Sequence, residues 1–296
     1  MRAGRERELA KGRAVGSWRS PLVLIAIAAM LFSTGGLFIK LSSLSAFALS
    51  CGRCSLAAVT VAFLTRREGL SLNRIVALAA LLYAALLLLF VLATKLTTAA
   101  NAIFLQYTAP VYILALEPIL YGERFHLSDL AVVGGCLVGM ALFFVGKLAP
   151  SDWNGNLAAL ASGFCYALFM LLLRHPRARL INSAAPVFYG NLLLAAVTAP
   201  ALLDEASALS GREILIICYL GVVQLGVAYI LFTRGIARGA RSLDAGIIGY
   251  IEPVLNPLWV FIFLGERPSP WALLGGAIII AAVGWHTLRR AKRMAA

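Results

Sequence analysis

Charge is what this chain has least of. Only 13% of its 296 residues are charged while 61% are apolar, against roughly a quarter and a half in soluble domains. That shortage excludes an ordinary soluble domain and predicts a chain dissolved in lipid. Acids are the scarcest kind, 13 Asp plus Glu against 26 Lys plus Arg. A basic balance can mark a nucleic-acid binder, but only where basic residues cluster on a foldable soluble domain. Here they fall between apolar runs, so the predicted partner is the bilayer and not nucleic acid.

Histidine is nearly missing. His126, His175 and His286 each lie at the end of an apolar run, so no metal or haem ligand pair is expected within the membrane. There is no H-E-x-x-H, no P-loop and no strand–turn–helix for a nucleotide, which leaves no expected cofactor and little footing for an enzyme. A membrane transferase using Glu252 and Asp244 would leave unexplained the internal repeat described below. The five cysteines form no framework. Cys51 and Cys54 make a lone C-x-x-C at the start of an apolar run, read as small packing residues.

What the chain has is long apolar runs. A hydrocarbon core of ~30 Å takes about 20 residues of helix. By that measure ten candidate spans run approximately over 21–39, 46–64, 74–93, 98–120, 127–146, 155–173, 184–203, 213–232, 242–264 and 270–288. The pattern argues against barrel strands, because they alternate apolar and polar and runs such as Ala77 to Val91 do not. Starting inside and alternating puts 20 Lys and Arg on the cytoplasmic side. Only Lys40, Lys95, Lys147, Arg212 and Arg267 fall outside, with Arg53 within the second span. The positive-inside rule therefore predicts both termini in the cytoplasm of a multi-pass inner-membrane protein. Residues 1–20 read as a basic cytoplasmic tail and 289–296 as a basic cytoplasmic end. The first apolar run is too long for a signal-peptide core.

Proline is sparse too, 11 residues, yet inside the apolar runs it comes twice in one setting. YTAPVY starts at Tyr107 and YIEPVL at Tyr250; Gly122-Glu123-Arg124 follows the first and Gly265-Glu266-Arg267 the second. Both offsets are 143 residues, about half the chain. The fourth and ninth spans thus read as equivalents in two five-helix repeats, 21–147 and 155–288. Phe32 with Lys40 matches Tyr166 with Arg174, and Gly134-Gly135 matches Gly275-Gly276. Five is odd, so the repeats enter the membrane from opposite sides. The fold class expected is an all-α membrane protein, ten transmembrane helices as two inverted five-helix repeats. Such a pattern marks secondary transporters, with the substrate site near the midplane between the halves.

The doubled phrase resembles the drug/metabolite transporter superfamily, and in particular its EamA-type branch, which includes bacterial exporters of aromatic amino acids. The resemblance covers essentially the whole chain after the basic tail. It rests on Tyr107 to Pro110 with Gly122-Glu123-Arg124, on Tyr250 to Pro253 with Gly265-Glu266-Arg267, and on Arg53 early in the second span. It implies export of amino acids, aromatic or otherwise neutral, or of similar small metabolites. The alternative is efflux of amphipathic drugs. The first half departs from the second at Ala109, where Glu252 has its counterpart, so any acid function there is single.

Proline inside a helix removes a hydrogen bond and clashes with the preceding turn. In a membrane the freed carbonyl must be served by protein or by a water-filled cavity. Pro110 and Pro253, with Pro118 and Pro257 as second breaks, are therefore candidate hinges lining a pathway, the alternative being passive kinks. Glu252 lies near mid-span, where an ionisable group is costly and its default reading is functional. It is placed to bind an amine, to carry a coupling proton, or to bond across the broken backbone. Further candidates for a substrate are Tyr83, Asn101, Gln106, Tyr107, Tyr166, Asn191, Gln224, Tyr250, Asn256 and Trp259. Arg53 either partners Glu252 or reaches the outer surface. Glu123 and Glu266, at helix ends, are expected to pair with a nearby Arg or to cap the following helix. Trp18, Trp153, Trp271 and Trp285 read as interfacial belt residues. Small-x-x-x-small spacings at Gly135 and Gly139 and at Ala277 and Ala281 point to packing inside a monomer.

Overall fold

The computed structural model describes residues 20–97, 99–124, 126–143, 145, 152–264 and 269–295. The tail before Ser20 and the second Gly265-Glu266-Arg267 lie outside the described residues, as do the side chains of Asn256 and Pro257. No strand occurs among the described residues. Helices run Pro21–Phe32 (α1), Gly35–Leu41 (α2), Ala46–Leu64 (α3), Arg74–Leu96 (α4), Ala99–Gln106 (α5), Ala109–Tyr121 (α6) and Leu127–Phe143 (α7). They continue as Trp153–Leu173 (α8), Pro176–Arg179 (α9), Ala185–Asp204 (α10), Gly211–Cys218 (α11), a π-helical segment Tyr219–Val227, Ala228–Ala237 (α12), Ser242–Gly249 (α13), Ile251–Leu264 (α14) and Pro270–Ala295 (α15).

Eight helical stretches among the described residues are long and apolar enough to cross a bilayer: Pro21–Ile39, Ala46–Leu64, Arg74–Thr94, Asn101–Tyr121, Trp153–Leu173, Ala185–Asp204, Gly211–Ala237 and Pro270–Arg290. A shorter apolar helix covers Leu127–Leu142. Their outer flank is apolar: Ile119, Leu157, Phe263 and Leu288 are all strongly exposed. A soluble monomer rarely leaves contiguous apolar surface on that scale. The chain is a multi-pass membrane protein.

The spans are less regular than an apolar ruler predicts. The expected breaks at the two proline phrases are present, α5 giving way to α6 at Tyr107-Thr108 and α13 to α14 at Tyr250. Pro110 then sits in the first turn of α6, where a missing N–H costs nothing. The second break expected at Pro118 is not there, because α6 runs unbroken through it to Tyr121. One lost hydrogen bond is tolerated in a helix braced by neighbours. An unexpected break separates α1 from α2 at Ser33-Thr34, where both hydroxyls donate back to carbonyls one turn earlier. Gly122 closes α6 in the left-handed conformation, φ +64°, which accounts for the glycine after Tyr121.

Packing pairs the two ends of the chain. α4 lies along α8, α1 along α12, α3 along α10, and α7 along α15. α10 also meets α4, while α3 meets the π segment; α5 and α6 meet α8, while α13 and α14 meet α1. α6 touches α13. At one end of the bundle arginines gather: Arg174 bonds Glu123, Arg234 pairs with Glu68, and Arg241 pairs with Asp129. At the other, Glu213 accepts from Ser42 Oγ at 2.6 Å and Ser43 N at 2.9 Å, and Glu205 accepts from Ser45 N at 2.8 Å.

The α7–α15 contact shows what the small residues do. A Cβ added at Gly139 would lie 2.7 Å from Ile279 Cγ1 and 2.8 Å from the Gly275 carbonyl oxygen, whereas one at Gly134 would meet nothing within 4 Å. Gly139→Ala should therefore cost about 1–3 kcal/mol through overpacking, while Gly134→Ala should be neutral or gain up to ~1 kcal/mol of helix propensity. Melting of the two variants in detergent, compared side by side, checks the contrast. Equal melting temperatures would contradict the close approach.

Candidate functional site

The breaks around Tyr107, Tyr250 and Ser33 face one another in the middle of the bundle. Beside them lies a cavity of about 90 Å³. Its walls are Phe32, Gly35 and Ile39 from the first broken helix, Arg53, Leu86, Leu87, Phe90, Ile103, Gln106, Tyr107, Tyr166, Gln224, Leu225, Tyr229 and Glu252. A second cavity of about 90 Å³ adjoins it, sharing Ile39, Arg53 and Phe90 and reaching Ser42 and Thr94 at the serine-bonded end.

Tyr107 and Glu252 form the polar heart of the site. The Tyr107 hydroxyl donates to Glu252 Oε2 at 2.5 Å, and the Tyr250 hydroxyl donates to the Tyr107 carbonyl at 2.8 Å. That carbonyl would bond Val111 N in a continuous helix, but Val111 N turns to Thr108 O instead. Tyr250 thus serves the acceptor freed by the break. Nearby, Gln106 Nε2 donates to Ser162 Oγ, and Ser162 Oγ donates to Leu86 O, each at 2.8 Å. Gly163 makes this possible, since a Cβ there would sit 2.7 Å from the Gln106 carbonyl.

One turn nearer the arginine-rich end, aromatic rings close the cavity. Tyr83 packs edge-on against Tyr229 at 4.8 Å, Phe32 against Tyr229 at 4.6 Å, and Tyr83 against Phe169 at 5.3 Å. Beyond them lies an ion network. Glu117, 1% exposed, accepts from Arg174 Nη1 at 2.5 Å, Arg241 Nη2 at 3.0 Å and Ser242 N at 3.0 Å. Glu123 adds 2.7 Å to Arg174, and Asp129 adds 3.3 Å to Arg241. Partial burial would raise the Glu123 carboxyl, but the Arg174 hydrogen bond and the Arg241 charge outweigh it and hold the group below its ordinary range. Asp244 stands beside the network, 2.9 Å from His286 and 3.0 Å from Arg290.

Of the residues singled out from sequence, Gln106, Tyr107, Tyr166, Gln224 and Glu252 line the cavity. Others do not. Tyr83 and Asn191 are buried against each other at 3.2 Å, and Asn101 bonds Thr97 and Asn156 near the serine-bonded end. Trp259 donates to Ser33 Oγ at 2.8 Å, bracing the unexpected break. Tyr250 supports the wall from behind. Each of these four polar groups at membrane depth, like Tyr250, has a hydrogen-bond partner among its neighbours, which is the commoner fate of a buried polar side chain; Asn191 leaves only its Oδ1 without one. Asn256 lies outside the described side chains.

Sequence reasoning missed Tyr229, Phe90 and Glu117. Glu117 carried a signal, a Glu-Pro pair like that at Glu252-Pro253. Tyr229 carried none. Five residues beyond Gln224, it would point ~140° away in an α-helix; the intervening π turns bond i to i+5 and bring both to one cavity.

Comparison with known proteins fits this geometry. The sequence pattern of a family described as the EamA-like transporter family matches residues 19–145 and again 153–287. An "uncharacterized transporter" of Archaeoglobus fulgidus is 30% identical over 196 residues, 66% of this chain and 69% of that one. The aromatic amino acid exporter YddG of Ancylobacter novellus is 29% identical over 207 residues, 66% of this chain and 69% of its own. A solved crystal structure shares the fold with a TM-score of 0.76 at 22% identity, covering 90% of this chain and 97% of its own.

Proposed function

The chain belongs to the EamA-like transporter family, and from that premise we propose that it exports amino acids, aromatic or otherwise neutral, or similar small metabolites, by alternating access. The observation that carries this reading is the central cavity, where Glu252 and Tyr107 meet between two proline-broken helices. Relatives named as amino-acid exporters support the class of cargo.

Support for ten spans in two inverted repeats comes from the packing. Exchanging each helix for the one five spans on turns α4 against α8 into the eighth span against α1, and α4 against α10 into the eighth span's π segment against α3. The pairs α3 with α10, α7 with α15 and α6 with α13 map onto themselves. A map unchanged by that exchange is what a two-fold axis in the membrane plane produces. The arginine-rich end is the cytoplasmic one on the positive-inside rule, with both termini there and the bilayer the inner membrane. In that orientation the described conformation is sealed inside by rings and ion pairs and leads outward through the second cavity. Both halves of the pathway come from one chain, so a monomer suffices.

Proteoliposomes holding purified protein test the function. Labelled aromatic and other neutral amino acids should be taken up saturably, with a pH gradient showing whether protons are coupled. No amino-acid uptake, with an amphipathic dye such as ethidium moving instead, would replace this reading with drug efflux. Pro253→Ala should change the rate of exchange severalfold while leaving the amount of folded protein unaltered. Unchanged rates would reduce the break at Tyr250 to a packing kink.

A further inference from the structure

The cavity contains one residue that the packing does not explain. Arg53, midway along α3, is 3% exposed, yet it makes no hydrogen bond or ion pair with any described residue, and its Nε is buried without a partner. The other buried arginine among the described residues is paired: Arg241 reaches Glu117 and Asp129. An unpaired charge at membrane depth is costly, and a structural arginine is normally held by carboxylates or carbonyls. Arg53 is instead positioned by its backbone. Gly221 of the π segment packs so closely on it that an added Cβ would lie 2.7 Å from the Arg53 carbonyl oxygen. The side chain stands at the wall common to the central cavity and its outer neighbour.

The same cavity holds Glu252, whose hydrogen-bond partner among the described residues is the neutral Tyr107 hydroxyl, and Gln224, whose Oε1 is a buried acceptor without a donor. The site thus offers one cation, one carboxylate and a spare acceptor, with no protein ion pair joining them. A cationic cargo would serve Glu252 and leave Arg53 stranded; an anionic one would do the reverse. A zwitterion serves both. Resting on the reading of this cavity as the transport site, we infer that Arg53 binds the carboxylate of the cargo, with Glu252 and Gln224 taking its ammonium, so that the substrate class is the free zwitterionic amino acid. Phe32, Phe90, Tyr166 and Tyr229 line the same cavity, where they would border the apolar part of the cargo. Arg53 faces both cavities, so the carboxylate end leads when the cargo leaves outward.

The test is competition against labelled L-phenylalanine entering proteoliposomes. Competitors are L-phenylalanine, its amide, phenylethylamine and 3-phenylpropanoate. In the wild-type protein the amide and the amine should compete roughly 10- to 100-fold more weakly than the amino acid, the usual worth of a hydrogen bond to a charged group. Arg53→Gln should erase that difference while Arg53→Lys keeps part of it, because Lys retains the charge but not the fork. Wild-type protein that accepts the amide as well as the amino acid overturns the assignment, and needs no variant to fold. So does Arg53→Gln protein that still discriminates. Replacing chloride by gluconate should leave competition unchanged; a chloride requirement would give Arg53 to that ion and overturn the assignment. Phenylalanine uptake without carboxylate discrimination removes only the role of Arg53. Absence of any amino-acid uptake removes the transport reading as well.

Discussion

Glu117→Ala should be the most damaging single substitution in this chain. It removes the acceptor of two arginines and a backbone N–H at once, and both arginines are themselves largely buried. Breaking a buried ion pair from one side costs about 3–5 kcal/mol, because a buried charge loses its closest partner; here two arginines lose one at once, keeping only the partly exposed Glu123 and the longer contact to Asp129. A fall in melting temperature on the order of 10 °C follows, or loss of folded protein altogether. Glu123→Ala is the control. Its carboxylate is about a third exposed, so its loss should cost no more than ~1 kcal/mol. The measurement is thermal unfolding of both variants in detergent by size exclusion. A Glu117→Ala protein as stable as wild type would mean that water, not Glu117, solvates the two guanidinium groups.

Glu252→Gln should leave the fold intact and remove most transport. Glutamine keeps an oxygen for the Tyr107 hydroxyl, which approaches at 2.5 Å, so the local bond survives. What disappears is the negative charge, and with it the charged hydrogen bond to an amine, worth about 1.5–3 kcal/mol. Uptake of a neutral amino acid at low concentration should fall roughly 10- to 100-fold. Tyr107→Phe, which leaves the charge in place and takes away only one donor, should fall less. Initial rates in proteoliposomes, normalised to inserted protein, decide between them. If Glu252→Gln transports like wild type, the carboxylate is a backbone brace and the amine is bound elsewhere.

How much of this was legible depends on which physical quantity a residue type reports. Apolar length reports depth, and it placed the runs well: α3, α8 and α10 begin and end within two residues of expectation. The doubled proline phrase reports where a helix must break, and the Tyr250 hydroxyl on the Tyr107 carbonyl joins the two copies across the same 143 residues that separate them. Polarity at depth reports only that a partner is needed. Tyr83 and Asn191 found one another, Trp259 found Ser33, and Asn101 found Asn156, leaving none of them in the cavity. Direction around a helix axis is the missing quantity. It follows from spacing only when the helix is regular, and Gln106 and Tyr107, at a break, were singled out by polarity at depth and by the doubled phrase instead. It fails at the break after Phe32 and across the π segment, where Tyr229 gained its place beside Gln224. Glu117 was missed for a different reason. Its partners Arg174 and Arg241 lie 57 and 124 residues away, and no local pattern encodes such a meeting.

The π segment also sets how this gene tolerates insertions and deletions. Within an α-helix, loss of one residue rotates everything beyond it by ~100°, and a span packed on both flanks cannot absorb that. Between Tyr219 and Val227 the chain already carries more residues per turn than an α-helix needs. A single deletion there relaxes the ladder to i→i−4 bonding and leaves both flanks, with Glu213 at one end and Arg234 at the other, facing as they did. A deletion scan along Gly211–Ala237 should therefore have one permissive window, and codons lost inside it should yield protein that folds and reaches the membrane with Gln224 turned away from the cavity.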